Sequence, residues 1–254
     1  MNENSVTGSL AWAAANKGAL STSERLSFLL PVLRQGLGYT IGRLRLAMGL
    51  RRKAPLNIDP ASFDLPRSTL AKRAEEEAQE TLTPSILHHS YRTFLYGLAL
   101  AEIDGIKVDR EHLYVTSLLH DISLESPDPQ CCFAVRGGQV MKAVAEKAGA
   151  DAALADTLAE AITHHITPGV GMELGPLPLL LQGGAMVDLT GQRLWHLPKT
   201  YEASTRKRYP RLDVKDVLSD CWKKEARTFS AGRAAFIEKV IFFSLLVRCA
   251  PFKE

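Results

Sequence analysis

Apolar residues recur at spacings of three and four along most of the chain, and this helical periodicity constrains the fold more than any other feature. Alternating β-branched stretches are nearly absent, whereas residues that start and stop helices bracket the periodic stretches. The sequence therefore predicts an all-α bundle. Its expected helices run from Thr83-Pro84 to Gly105, from Asp109, from Asp128-Pro129 to Gly149, from Asp151 to Pro168 and from Pro176 to Thr190, with Asp213 and Ser230 capping two more.

The N-terminal part of the chain has a different character. An amphipathic helical arm is predicted within Ser21 to Lys53, and a linker with three prolines in Lys53 to Pro66. The apolar positions of this arm are Leu26, Leu30, Leu33, Leu37, Ile41, Leu44 and Met48. We therefore divide the chain into an arm with its linker, residues 1–60, and a helical domain, residues 61–254.

Two partners suit such an arm. Soluble helices routinely bury an apolar face, so we expect it to pack on the bundle or across a homodimer. Gly38 and Gly42, four residues apart, would let another helix approach closely. Five arginines among the apolar positions make a membrane surface the second option for residues 22–53.

Charge and cysteine usage exclude several classes of protein. Residues 1–60 carry eight basic and three acidic side chains, whereas residues 61–198 carry ten basic and eighteen acidic ones. Because that middle region offers no basic face, nucleic acid is not an expected partner. The four cysteines form no Cys-x-x-Cys pair, which disfavours a cysteine zinc site and a disulfide framework.

The same sequence predicts where the chain resides. No apolar run approaches the roughly 18 residues of a membrane span. The first twenty residues lack the basic region and apolar stretch of a secretory signal. We therefore expect a cytoplasmic protein.

Four residues spread over a hundred positions form the pattern that points to chemistry. They are His89, the adjacent pair His120-Asp121, and Asp188. Imidazole and carboxylate together suit zinc, iron or manganese. Neighbouring side chains on a helix point about 100° apart, so the pair can bind one ion only near a helix end.

The flanks of these residues resemble the HD-domain superfamily of metal-dependent phosphohydrolases, and more narrowly its cyanamide hydratase-like branch. The resemblance extends over about residues 66–215. The stretches that carry it are His89–Gly97, Leu118–Ile122, Phe133–Gly138, Ala161–Gly169 and Gly184–Gly191.

The resemblance implies a site and a mechanism. It makes His89, His120, Asp121 and Asp188 the ligands of one divalent transition metal, zinc first and iron or manganese next, whose bound hydroxide attacks a small molecule. Asp121 would also handle the proton of the water, and His165 would stabilise charge developing on the substrate.

Two further residues are candidates for contact with the substrate. Arg92 lies one turn after His89, with a structural ion pair as the equal alternative. His164 is the other candidate, although it would face away if His165 faces the site.

Three other functions remain open. The first is a nucleotide or phosphate-ester phosphohydrolase, and the second is a di-iron oxygenase of the same superfamily. A second metal would need more separated histidines than His164 and His165 provide. The third is a non-catalytic membrane-surface or scaffold protein.

Overall fold

The structure is a computed structural model that describes residues 6–52 and 55–252, and helices dominate both ranges. Twelve α-helices occur in these described ranges. They are α1 Leu10–Asn16, α2 Thr22–Ala47, α3 Thr69–Thr81, α4 Pro84–Asp104, α5 Arg110–Leu119, α6 Phe133–Lys147, α7 Ala152–His164, α8 Pro176–Thr190, α9 Lys199–Arg208, α10 Val214–Thr228, α11 Arg233–Ile241 and α12 Phe243–Arg248. The predicted all-α fold is confirmed.

Several predicted helix boundaries are confirmed by their caps. Thr83 is the N-cap of α4, and Gly105 ends that helix in a left-handed conformation. The Asp109 carboxylate accepts hydrogen bonds from two backbone N–H groups at the start of α5, and the Asp151 carboxylate accepts one, from Leu154, at the start of α7. These boundaries follow from local chemistry alone.

Two predicted starts are wrong. Helix α6 begins at Phe133 rather than at Asp128-Pro129, because the Asp128 carboxylate instead accepts the N–H of Gln130 in a turn. Helix α11 begins after Gly232, so Ser230 is not its cap.

Helix α4 lies at the centre of the bundle, buried along most of its length, and packs most extensively on α8. The crossing is close because Gly184 of α8 lies against α4. A Cβ at Gly184 would lie 2.2 Å from the carbonyl oxygen of Thr93. Gly138 of α6 allows a similarly close approach to α7, where a Cβ would meet Thr163 and Ala159. These glycines therefore allow α8 to lie close to α4 and α6 to lie close to α7.

The N-terminal arm is helical, as predicted, but its packing face is not the predicted one. The seven apolar positions named above are all exposed. Helix α2 instead turns Val32, Tyr39 and Gly42 towards the protein and contacts α11. A Cβ at Gly42 would lie 2.0 Å from the Trp195 ring, so the glycine permits the contact. The expectation that the leucine face packs on the bundle is therefore wrong, while a dimer or membrane contact remains a prediction.

The division into residues 1–60 and 61–254 also stays a prediction. Residues 1–5, 53, 54, 253 and 254, on which it partly rests, lie outside the described residues. Among the described helices, none is long and apolar enough to cross a membrane.

Candidate metal centre

Three of the predicted ligands meet where α4 passes the end of α5. His89 projects from the second turn of α4 and is fully buried, and His120 is the residue at which α5 ends. Asp121 lies in the turn that follows. This position at a helix end lets neighbouring side chains converge, as the adjacent pair requires. The ligand atoms of the three residues all lie within 4.8 Å of one another.

The two imidazoles face each other through their Nε2 atoms, which are 3.2 Å apart. The Asp121 carboxylate lies 3.3 Å from the Nε2 of His120 and 3.7 Å from that of His89. The opposite nitrogen of each ring is already bonded to an acceptor. The Nδ1 of His120 donates to a backbone carbonyl, and that of His89 to a carboxylate. In the neutral rings each Nε2 therefore carries a lone pair.

Two lone pairs and a carboxylate pointing at one spot favour a cation there. Burial opposes protonation of His120, yet the neighbouring Asp121 charge raises the pKa of His120 above its ordinary value. The site therefore offers an aspartate and two histidines whose Nδ1–H groups are held by acceptors. This set of ligands suits a divalent transition metal. The residues present therefore fit the metal that the sequence pattern implies.

The structure places Asp188 on the other side of the His89 ring. Its Oδ2 accepts the Nδ1–H of His89 at 2.7 Å and a bond from Arg92 at 2.8 Å. Its Oδ1 accepts from Arg92 at 2.8 Å and from Arg211 at 2.7 Å. Burial alone would raise the pKa of the Asp188 carboxyl, but the two guanidinium charges hold it well below its usual range. Asp188 is thus brought next to the cluster without joining the three converging atoms.

The two candidates for substrate contact have other partners. Arg92 is completely buried, donates twice to Asp188, and donates its remaining Nη1 bonds to the carbonyls of Tyr209 and Pro210. A direct contact of Arg92 with a substrate would require these bonds to break. His164 turns away from the cluster, with its Nε2 3.5 Å from the Glu160 carboxylate.

His165 lies on the open side of the cluster. Its Nδ1 donates to a carbonyl of α7 at 2.5 Å, which leaves its Nε2 as an acceptor 3.6 Å from the Asp121 carboxylate. Burial lowers the pKa of His165 despite the neighbouring carboxylate, so the ring is neutral near pH 7. A neutral Nε2 at this place can accept a proton.

A small cavity of about 40 Å³ borders Asp121, His120 and His165. About 10–15 Å³ of such space is needed for one water, so the cavity has room for about three. Most of its lining is apolar or aromatic. The remaining polar lining residues are Gln35 and Tyr39 of α2 and Gln182 of α8.

Sequence reasoning did not identify four polar neighbours of the site, which are Arg211, Gln35, Tyr39 and Gln182. Arg211 follows α9 in a loop, and no local pattern ties it to Asp188. Gln35 and Tyr39 belong to the arm, which carries no catalytic motif. The one signal that could have pointed to them is the position of Gln35 and Tyr39 on the side of the helix opposite its leucines.

The burial of His164 makes a testable contribution to stability. Burial, with the Arg233 charge nearby, lowers the pKa of His164 to about 4. Between pH 6.5 and 4 the unfolded chain binds a proton that the folded chain does not, so the free energy of unfolding falls as the pH falls. Urea unfolding would measure the free energy of unfolding at pH 7 and at pH 4.5. Between these two pH values that free energy should fall by about 2 kcal/mol less in His164→Gln than in the wild type. An equal loss in both proteins would contradict this, and His112→Gln serves as the control.

The fold and the cluster together define an all-α protein with a buried His-His-Asp site that suits a metal. Cyanamide hydratase DDI2 and cyanamide hydratase DDI3 of Saccharomyces cerevisiae are each 30% identical to this chain over 154 residues. The match covers 58% of this chain and 68% of each relative. No protein-family model matches the chain. The chain belongs to the cyanamide hydratase family.

Proposed function

We propose that this protein is a metal-dependent hydratase of the HD superfamily that adds water to the nitrile-like carbon of a very small molecule, with cyanamide as the first candidate. The observation that carries this proposal is the cavity beside the cluster. Space for about three waters suits a molecule of three non-hydrogen atoms such as cyanamide. The similarity to two cyanamide hydratases supports the same reaction.

The proposed ligands are the Nε2 atoms of His89 and His120 and the carboxylate of Asp121, with zinc as the first candidate and iron or manganese next. Three protein ligands would be the number typical of a catalytic metal site, in which water or substrate takes a further position. A bound divalent metal would supply a Lewis acid that lowers the pKa of water to about 7. Asp188 holds the His89 ring in the orientation that presents Nε2 to this site.

His165 and Asp121 would handle the protons. In the hydration of a nitrile-like group, the water oxygen bonds to carbon, one carbon–nitrogen π bond breaks, and the substrate nitrogen gains a proton. With cyanamide this addition gives isourea, which becomes urea when the remaining hydroxyl proton moves to the same nitrogen. The neutral Nε2 of His165 can accept the proton from water and return it to that nitrogen. Asp121 stabilises the imidazolium that exists between the two transfers, because its carboxylate lies 3.6 Å away.

The charge of the cavity disfavours the phosphohydrolase alternative. Among the described residues, no lysine or arginine lines it. Arg92 and Arg211, which lie beside the cluster, both bind the Asp188 carboxylate. A phosphate ester would therefore meet apolar side chains and carboxylate rather than guanidinium groups.

The proposed role of His165 gives a direct test. His165→Gln should lower kcat for the conversion of cyanamide to urea by about 10²–10⁴-fold, the usual contribution of a general acid or base. Its metal content should stay near that of the wild type, because His165 is not among the three converging ligands. Urea formation and metal content would be measured on the same preparations.

His112→Gln is the matched control, since His112 lies at the half-exposed start of α5. Unchanged urea formation in His165→Gln would contradict the role of His165. If the metal-loaded wild type instead forms no urea but releases phosphate from phosphate esters, the hydratase proposal fails.

A further inference from the structure

The outer face of α2 and of the turn that follows it is the most apolar exposed surface in the described part of the chain. Nine of the fourteen large hydrophobic side chains exposed there lie between residues 26 and 50. We name these nine the leucine stripe; each is 41% to 70% exposed, and they are Leu26, Leu29, Leu30, Leu33, Leu37, Ile41, Leu44, Met48 and Leu50.

The leucine stripe is continuous and follows one side of the helix. At about 100° of rotation per residue, Leu26, Leu33 and Leu44 point within about 20° of one direction. From Leu26 to Met48, the residue that ends α2, a rise of about 1.5 Å per residue gives the stripe a length of about 33 Å. Single exposed leucines are common on soluble proteins, but a contiguous apolar band marks an interaction surface.

Positive charge borders the leucine stripe on both sides. Residues 22–52 contain six arginines and a single acidic residue, Glu24. By helical rotation, Arg34 and Arg45 flank one edge of the stripe, while Arg25 and Arg43 flank the other. The Glu24 carboxylate does not lie on the stripe, because it accepts hydrogen bonds from Trp12 and Thr7 of the segment around α1.

We propose that the leucine stripe docks this protein on an anionic phospholipid bilayer. An amphipathic helix with apolar side chains bordered by arginines lies in the bilayer interface, with its apolar face among the acyl chains and its cations at the headgroups. A second copy of the chain fits the surface less well. Two stripes paired about a two-fold axis would place arginine borders against each other, with no exposed acidic side chain on α2 to offset the repulsion.

The inner face of the same helix gives this docking a defined orientation. Gln35 and Tyr39 line the cavity next to His120 and Asp121, and the Tyr39 hydroxyl lies 3.8 Å from the sulfur of Met186. The leucine stripe is on the opposite side of α2. A docked molecule therefore holds its cavity about one helix diameter, roughly 10 Å, from the lipid surface. The proposal does not depend on which reaction the cavity supports.

Cosedimentation of the full chain with vesicles tests the proposal. One set of vesicles contains equal parts of phosphatidylcholine and phosphatidylglycerol, and the other contains phosphatidylcholine alone. We expect binding to the anionic vesicles that weakens at high ionic strength, and much weaker binding to the neutral ones. Leu37→Gln should weaken binding about tenfold, and the triple variant Leu30→Gln/Leu37→Gln/Leu44→Gln at least about 10²-fold.

Leu245→Gln is the matched control, because Leu245 is a leucine of α12 that is 56% exposed and lies outside the stripe. It should bind like the wild type, and circular dichroism should show unchanged helix content in all variants. Equal binding by the wild type and the triple variant would overturn the proposal, as would no binding to anionic vesicles. A dimer that the triple variant dissociates, with no vesicle binding, would assign the stripe to a second copy instead.

Discussion

His120→Gln should abolish metal binding and lower kcat/KM for cyanamide by about 10³-fold or more, while the helical bundle stays folded. The His120 Nε2 is central to the cluster, 3.2 Å from that of His89 and 3.3 Å from the Asp121 carboxylate. Glutamine has a similar size but no nitrogen lone pair to donate. Loss of the metal removes several kcal/mol of transition-state stabilisation, and each 1.36 kcal/mol corresponds to a factor of ten in rate.

The measurement is metal content per chain by elemental analysis, together with urea formation and the thermal unfolding midpoint. His112→Gln removes an imidazole from the start of the same helix and should keep both the metal and the activity. A metal content of about one per chain in His120→Gln would show that the ion is held elsewhere. Two irons per chain in the wild type, with oxygen consumed during turnover, would favour the oxygenase alternative.

The sequence was sufficient for the helices whose ends are set by neighbouring residues. Asp109 and Asp151 cap their own helices, so their positions follow from local chemistry. The start of α6 could not be predicted in this way, because the carboxylate of Glu225 in α10 accepts its first N–H, that of Phe133. That hydrogen bond joins residues 92 positions apart, so no local sequence pattern predicts it.

The candidate site shows the same limit. The adjacent pair His120-Asp121 at a helix end is visible in the sequence, and its approach to His89 follows from the bundle. The sequence does not show that Asp188 binds the Nδ1 of His89 rather than its Nε2. It also does not show that Arg211, which lies in a loop distant in sequence, binds Asp188. Those are consequences of how α8 crosses α4 at Gly184, and spacing alone does not determine them.

The arm shows why an amphipathic pattern can mislead. The rule that soluble helices bury their apolar face predicts contact through the leucines. Helix α2 instead packs through a narrow face where Gly42 admits the Trp195 ring and Gly36 lies near Ile241. Small residues permit close packing without a leucine-rich face, which leaves the leucines exposed to a second partner.

Asp188→Asn should destabilise the protein by about 3–5 kcal/mol and weaken metal binding about 10–100-fold without abolishing it. Asparagine has nearly the shape of aspartate and can still accept the Nδ1–H of His89. It cannot balance the charges of Arg92 and Arg211, and a buried charge that loses its partner is strongly destabilising. The weaker metal binding follows because an orienting partner of a ligand histidine contributes affinity indirectly.

The comparison that matters is with Asp121→Asn, which replaces a proposed direct ligand and should abolish binding. Equilibrium unfolding in urea gives the stability of each variant, and a metal titration with a chromophoric competitor gives the affinity. If Asp188 were itself a ligand, Asp188→Asn would lose the metal as completely as Asp121→Asn. Partial loss of affinity together with a large loss of stability would instead place Asp188 behind His89, as its bonds to His89, Arg92 and Arg211 indicate.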